Sequence, residues 1–165
     1  MKFVSEDVIN GVIQGMGDSH FDYAEAVLAL QKEQPVLLGY LFSENFKLIA
    51  DKEQEFTLYL LIVIWLSCKE VNGTLPRVEV KAFEDMEELN WIAITAEKEH
   101  SFRKRLDVFF DGTEQEDLLA FIEDALLDDG DETGVAPEAR EPIFIYLKSI
   151  VDCFHELVED VNETV

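Results

Sequence analysis

A chain of 165 residues, 48% of them hydrophobic, is long enough to bury one core, and this composition argues against intrinsic disorder. Its formal net charge of −23 opposes the counterion release that drives nucleic-acid binding, so we expect neither nucleic acid nor a membrane surface as a partner. The only cysteines, Cys68 and Cys153, exclude a disulfide framework and a zinc cluster. With an N-terminus that lacks an apolar signal core, they predict a cytoplasmic protein.

Glycine and proline separate a series of amphipathic segments in the first half of the chain. Ser5 predicts the N-cap of a first helix, and a second helix is predicted from about Phe21 to Gln34. Pro35 is typical of the first position of a short third helix. The apolar run FTLYLLIVIWL, residues 56–66, is shorter than the ~20 residues that span a bilayer. It predicts a buried central helix near residues 52–71.

The second half of the chain predicts three further helices. The first runs from about residue 82 to Phe110, and the next begins at a capping box formed by residues 113–116. Pro142 predicts the start of a terminal helix. Because no segment is a convincing strand, the sequence predicts an all-α fold, a single-domain bundle of six or seven helices over residues 1–165.

The negative charge is concentrated towards the C-terminus. Residues 111–165 carry 17 acidic and 2 basic groups, a net charge of −15, whereas residues 1–50 and 51–110 carry −4 each. Such a surface attracts cations. Motifs for a catalytic nucleophile, a phosphate loop or a dinucleotide are absent.

These observations predict a non-enzymatic, cytoplasmic protein-interaction module whose acidic C-terminal surface binds the basic surface of a partner protein. A nucleic-acid mimic that inhibits a basic protein is an alternative, because carboxylates would then take the place of phosphates.

The stretch LLDDGDETGVAPEARE, residues 126–141, has part of the pattern of a calcium-binding loop. Oxygen-bearing side chains occupy positions 1, 3 and 5 of a twelve-residue loop, and Gly134 occupies position 6. Position 12, however, is Arg140, a cation where a bidentate glutamate is needed. We therefore favour an acidic inter-helix loop over residues 128–138, with a Ca²⁺ site as the alternative. The candidate ligands of that site are Asp129, Asp131, Thr133 and Glu141.

Two carboxylate–histidine pairs have the i, i+3 spacing with which di-iron bundles bind metal. They are Glu97 with His100 and Asp152 with His155. Both members of such a pair share a face if the segment is helical. With 36 acidic residues in the chain, the spacing also arises by chance, and a full site needs two further glutamates. We expect no cofactor, and a transition-metal site on these pairs is the alternative.

The segment FRKRLD, residues 102–107, is the one basic cluster. Glu99 and Asp107 lie four residues on either side of Arg103, which predicts a solvated helix face with i, i+4 ion pairs. Apolar residues are dense in the same region: Phe102, Leu106, Val108, Phe109 and Phe110. This apolar stripe predicts either core packing or the interface of a homodimer, and the pattern alone does not separate the two.

Overall fold

A computed structural model describes residues 1–46, 49–127 and 134–164, and for Asn45 the backbone alone. Within these ranges the chain forms eight α-helices and one short 3-10 turn, Glu44–Phe46, and it has no β-strand. The all-α prediction is thereby confirmed. The helices are α1 (Glu6–Met16), α2 (Tyr23–Glu33), α3 (Pro35–Leu41), α4 (Asp51–Asn72), α5 (Val80–Ala96), α6 (Phe102–Phe110), α7 (Glu116–Leu127) and α8 (Pro137–Thr164).

Two predicted helix starts are confirmed in the first half of the chain. The side chain of Ser5 accepts a hydrogen bond from the backbone N–H of Val8 at 3.4 Å and so caps α1. Pro35 occupies the first position of α3, where its missing N–H leaves no helical bond unmade.

The number of helices exceeds the predicted six or seven because the helix expected from about residue 82 to 110 is two helices. Helix α5 buries Phe83 and Ile94, and α6 buries Leu106 and Phe109. In one continuous helix, at about 100° per residue, Leu106 and Phe109 would lie roughly 60–140° around the axis from Phe83 and Ile94. The break therefore allows both sets of side chains to reach one core.

Helix α4 carries the most apolar stretch of the chain. The residues from Leu60 to Trp65 are each at most 1% exposed, so this part of the helix is covered on every side. Helices α1, α2, α3 and α8 all pack against α4. Among the described residues, no helix combines the length and the apolar character that crossing a membrane requires.

Helix α8 begins five residues before the predicted start. Its first residue is Pro137 rather than Pro142, so the end of the loop predicted over residues 128–138 is helical. Pro142 lies inside the helix, where it cannot donate a hydrogen bond to the carbonyl of Glu138. The residues from Ile143 to Val151 are all buried, and burial of this long segment offsets the missing bond.

Four aromatic rings connect α3, the 3-10 turn, α5 and α8. Tyr40 stacks on Tyr146 with centroids 5.8 Å apart and an interplanar angle of 7°. Phe46 and Phe83 contact both tyrosines edge-on. The hydroxyl of the buried Tyr146 donates to the carbonyl of Leu37 at 2.7 Å, so its one polar group is hydrogen-bonded.

The buried side chain of Gln115 holds the N-terminal segment against the start of α7. Its Oε1 accepts from the N–H of Val4 at 3.1 Å, and its Nε2 donates to the carbonyls of Met1 and Lys2 at 3.3 and 3.2 Å. The predicted capping box is wrong in detail, because Thr113 accepts from the N–H of Gln115 and α7 begins one residue after Gln115. The side chain of Gln115 instead connects the N-terminal segment to the start of α7.

Candidate functional site: the acidic C-terminal surface and the α1–α7 groove

The structure separates the two predicted carboxylate–histidine pairs into different environments. Glu97 and His100 lie in the loop between α5 and α6, so they do not share a helix face. Asp152 and His155 both lie on α8, as predicted.

On α8, Asp152 and His155 have different partners. Asp152 accepts hydrogen bonds from Asn90 at 2.9 Å and from Lys148 at 2.5 Å. His155 lies with its Nε2 3.3 Å from a carboxylate oxygen of Glu114. The carboxylate of Asp152 is thus neutralised by a lysine on its own helix rather than directed at the imidazole.

The remaining metal candidates belong to the acidic loop. Asp129, Asp131 and Thr133 lie outside the described residues, so the Ca²⁺ site stays a prediction. Glu141 is described, and it lies in the first turns of α8. In the ranges that the structure describes, no three His, Cys, Asp or Glu side chains are grouped closely enough to hold a metal ion.

Glu141 forms an ion pair with Arg105, a member of the basic cluster. The guanidinium donates through Nε and Nη2 to the two carboxylate oxygens at 2.9 and 3.0 Å. Its other donors reach backbone carbonyls at the end of α5 and in the following loop, those of Ile94, Glu97 and Glu99, at 3.0–3.2 Å. Arg105 therefore closes the end of α5 and connects α6 to α8, a structural role.

Arg103 pairs with another helix rather than with its own. The i, i+4 ion pairs predicted with Glu99 and Asp107 are wrong, because the guanidinium contacts Glu123 at 2.5 Å and Asp124 at 3.1 Å on α7. Burial raises the pKa of Glu123, and the charge of Arg103 opposes that shift. The prediction failed because Glu99 lies in the loop before α6 and Asp107 is exposed, whereas the buried carboxylate of Glu123 pairs with the guanidinium.

The apolar stripe of α6 packs in the core of the same chain. Leu106 and Phe109 are buried, and the rings of Phe102 and Phe109 lie 6.2 and 5.8 Å from that of Phe144 on α8. Of the two predicted roles, core packing is the one that the stripe has. The homodimer stays a prediction, but this stripe is no longer the interface expected for it.

The two thiols are suited to packing rather than to chemistry. Cys68 and Cys153 are both buried, and burial raises the pKa of each to about 12. Because the thiolate is the reactive form, neither side chain is an activated nucleophile at neutral pH.

Exposed carboxylates dominate the C-terminal third. Within residues 111–127 and 134–164, nine acidic side chains are exposed. We define these nine as the acidic C-terminal surface: Asp111, Glu114, Glu116, Asp124, Glu138, Glu156, Glu159, Asp160 and Glu163. The two basic residues of the same segment are not exposed, since Lys148 is 8% exposed and Arg140 is half-buried.

An open groove of about 610 Å³ lies between α1 and α7, next to the end of α6 that carries Arg103. Its apolar lining comes from Ile9 on α1 and from one face of α7. Its polar lining includes three carboxylates and Arg103. The carboxylates belong to Glu6, Asp117 and Asp124. The groove thus combines an apolar surface with an excess of negative charge.

The α1–α7 groove was not predicted from the sequence. Leu118 and Ile122 on one face of α7 pack in the core, whereas Phe121 and Ala125 on another face line the groove. The signal was present in the sequence as a second, smaller set of apolar residues at helical spacing.

Comparisons with protein-family models, with curated proteins and with solved structures found no match to this chain.

Proposed function

We propose that this chain is a non-enzymatic protein-interaction module whose acidic C-terminal surface binds a cationic partner protein. The observation that carries the proposal is the segregation of charge in the described part of residues 111–165. There, nine carboxylates are exposed, while Lys148 and Arg140 are buried or half-buried. Of the nine, Asp124 pairs with Arg103 and Glu159 with the N-terminal ammonium, so a partner approaching this surface meets an excess of negative charge.

The physical consequence of such a surface is fast, salt-dependent association. Charges of one sign steer a complementary partner and raise its association rate, and dissolved salt screens this attraction within about 10 Å at 0.1 M. The net charge of −23 also makes the self-association of two copies unfavourable at low salt, so the favoured partner carries an excess of lysine and arginine.

Affinity capture with two matched variants tests this proposal. In the first, five carboxylates of the acidic C-terminal surface are replaced by amides. The substitutions are Asp111→Asn, Glu114→Gln, Glu116→Gln, Glu156→Gln and Asp160→Asn. In the second, five exposed glutamates of the first two thirds are replaced, with the same change in charge. They are Glu25, Glu55, Glu70, Glu79 and Glu84, each changed to Gln.

The wild type and the second variant are expected to capture the same basic proteins at about 50 mM salt and to release them at about 500 mM, where charges are screened. The first variant is expected to capture much less. Partners that persist unchanged at high salt, or equal capture by both variants, would contradict the proposal. Competition between the chain and DNA for a captured partner then shows whether the chain acts as a nucleic-acid mimic.

A further inference from the structure

We propose that the α1–α7 groove is the seat of a basic, amphipathic helix belonging to the partner protein. This inference rests on the proposed function and specifies where the partner docks and which chemistry it presents. The acidic C-terminal surface would attract the partner, and the groove would hold it.

Helix α7 has two apolar faces, and the described residues cover only one of them. The covered face consists of Leu118, Leu119, Ile122 and Leu126, each at most 1% exposed. On the groove side, Ala120 is exposed, and Phe121, Ala125 and Leu127 are half-buried. Ala120 and Ala125, whose side chains are small, line the groove together with Phe121. An apolar side chain inserted there would bury surface that now faces water.

The groove is large enough to receive side chains of a partner helix. Its volume of about 610 Å³ lies within the range of roughly 300–1,000 Å³ typical of small-molecule pockets, so it would take several side chains of a helix rather than the whole helix. It runs between two helices of 11 and 12 residues, α1 and α7. An amphipathic helix placed in a groove of this kind buries apolar residues at i, i+3, i+4 and i+7.

The charges of the groove complement those of a basic helix. Asp117 and Asp124 line the groove seven residues apart, which places them two helical turns or about 10 Å from each other on α7. Asp117 is fixed in position because it accepts the N–H of Glu6 at 2.8 Å. Because Asp124 is already paired with Arg103, a lysine or arginine on a partner helix would match Asp117 and Glu6. Since Arg103 compensates one of the three carboxylates of the lining, the groove keeps an excess of negative charge.

Another apolar surface on the chain is a rival for the partner. On α5, Leu89 and Ile92 are each 61% exposed, and a shallow depression beside Ile92 is lined by Ala96. The groove is the better seat because its apolar surface lies between two helices and beside carboxylates on both. A second copy of this chain is a poorer occupant, because it also carries a net charge of −23 and would be repelled by an acidic groove.

The experiment uses a fluorescein-labelled synthetic peptide of about 18 residues, with leucine at helical spacing on one face and lysine on the other. Its dissociation constant is measured by fluorescence anisotropy for the wild type and for three variants, each of which converts an exposed alanine to arginine. Ala120→Arg fills the groove, Ala96→Arg alters the rival α5 surface, and Ala24→Arg on α2 controls for charge. Circular dichroism and thermal melts establish that each variant is folded.

We expect Ala120→Arg to weaken binding at least about tenfold, as the loss of a central contact does, and the other two variants to weaken it less than about twofold. In amide NMR spectra of the wild type, the peptide is expected to shift the resonances of Ala120, Phe121 and Ala125.

If all three variants retain salt-sensitive binding, the groove is not the binding site of the peptide, and the proposed function still stands. Loss of binding in Ala96→Arg alone would assign the partner to α5. No binding at low salt would overturn both proposals. A dimer that Ala120→Arg dissociates in sedimentation experiments would replace the basic helix with a second copy.

Discussion

Arg105 on α6 and Glu141 on α8 form a bidentate ion pair, with Nε 2.9 Å from Oε2 and Nη2 3.0 Å from Oε1. The two side chains are only 20% and 30% exposed. The sequence placed these residues in two different hypotheses, Arg105 in a solvated basic cluster and Glu141 among the ligands of a Ca²⁺ site. Both residues therefore have a structural role. Their ion pair holds the segment between α5 and α6 against α8.

Replacement of Arg105 is therefore expected to destabilise the fold. Arg105→Ala leaves Glu141 without its cation and removes the donors to three backbone carbonyls, for a cost of about 2–4 kcal/mol in the free energy of unfolding. Lys104→Ala removes one positive charge from an exposed position on the same helix and is expected to cost less than about 1 kcal/mol. Urea denaturation of both variants measures the difference, and equal midpoints would contradict this role of Arg105.

Gln115 offers a second test of the packing. Gln115→Ala removes the acceptor of the buried Val4 N–H and the donor to two carbonyls, so we expect a loss of about 2–3 kcal/mol in stability. Gln31→Ala, on the exposed side of α2, is the matched control and is expected to change stability by less than about 0.5 kcal/mol. Hydrogen exchange of the Val4 amide should accelerate in Gln115→Ala. An unchanged exchange rate would show that this hydrogen bond does not hold the N-terminal segment.

Glu87 makes the stability of the protein dependent on pH. Burial raises the pKa of this carboxyl above its ordinary value of 4.5, while hydrogen bonds with Tyr40 and Trp91 oppose the rise. The folded state thus binds the proton more tightly than the unfolded state does. Stability is expected to increase as the pH falls through the folded pKa towards 4.5, and to level off below that value.

The variant Glu87→Gln isolates this effect. An uncharged amide avoids the cost of burying a charge, so the melting temperature at pH 7 is expected to rise and its dependence on pH between 7 and 4.5 to become weaker. Glu88→Gln, at an exposed position next to it, makes the same change in net charge. If both variants alter the pH profile of thermal melts equally, long-range repulsion rather than burial of Glu87 causes the dependence.

Repulsion among the carboxylates predicts a response of stability to salt. With a net charge of −23, the folded state brings like charges together, and screening relieves that cost. The melting temperature is therefore expected to rise between about 0.02 and 0.5 M NaCl, where the Debye length falls several-fold. The variant with five amides in the acidic C-terminal surface should show a smaller rise. A melting temperature that does not change with salt concentration would contradict this prediction and would mean that the charges are already compensated.

Much of the fold could be predicted because local signals agree with it. Ser5 and Pro35 mark helix starts by hydrogen bonding and backbone geometry that do not depend on the rest of the chain. The break between α5 and α6 also had a signal, the shift in phase between the apolar residues around Ile94 and those around Leu106. It was missed because the intervening residues, EKEHS, contain neither glycine nor proline.

The candidate site depends on contacts between distant parts of the chain, and local patterns do not specify these. The acidic C-terminal surface could be predicted from charge counts alone. The groove, in contrast, needs Glu6 and Asp117 to be neighbours across 111 residues, a contact that only the packed core determines. Arg103 likewise pairs with Glu123 on another helix, although Asp107 lies four residues further along its own helix.

The salt dependence of the association rate between this chain and the partner it captures tests the central claim most directly. Stopped-flow measurements from about 50 to 500 mM NaCl would follow the rate constant, since steering acts on association rather than dissociation. We predict a fall of at least about tenfold over this range for the wild type, and a smaller fall for the variant with five amides in the acidic C-terminal surface. A rate constant that stays unchanged across the range in both proteins would contradict the claim that the acidic C-terminal surface recruits a cationic partner.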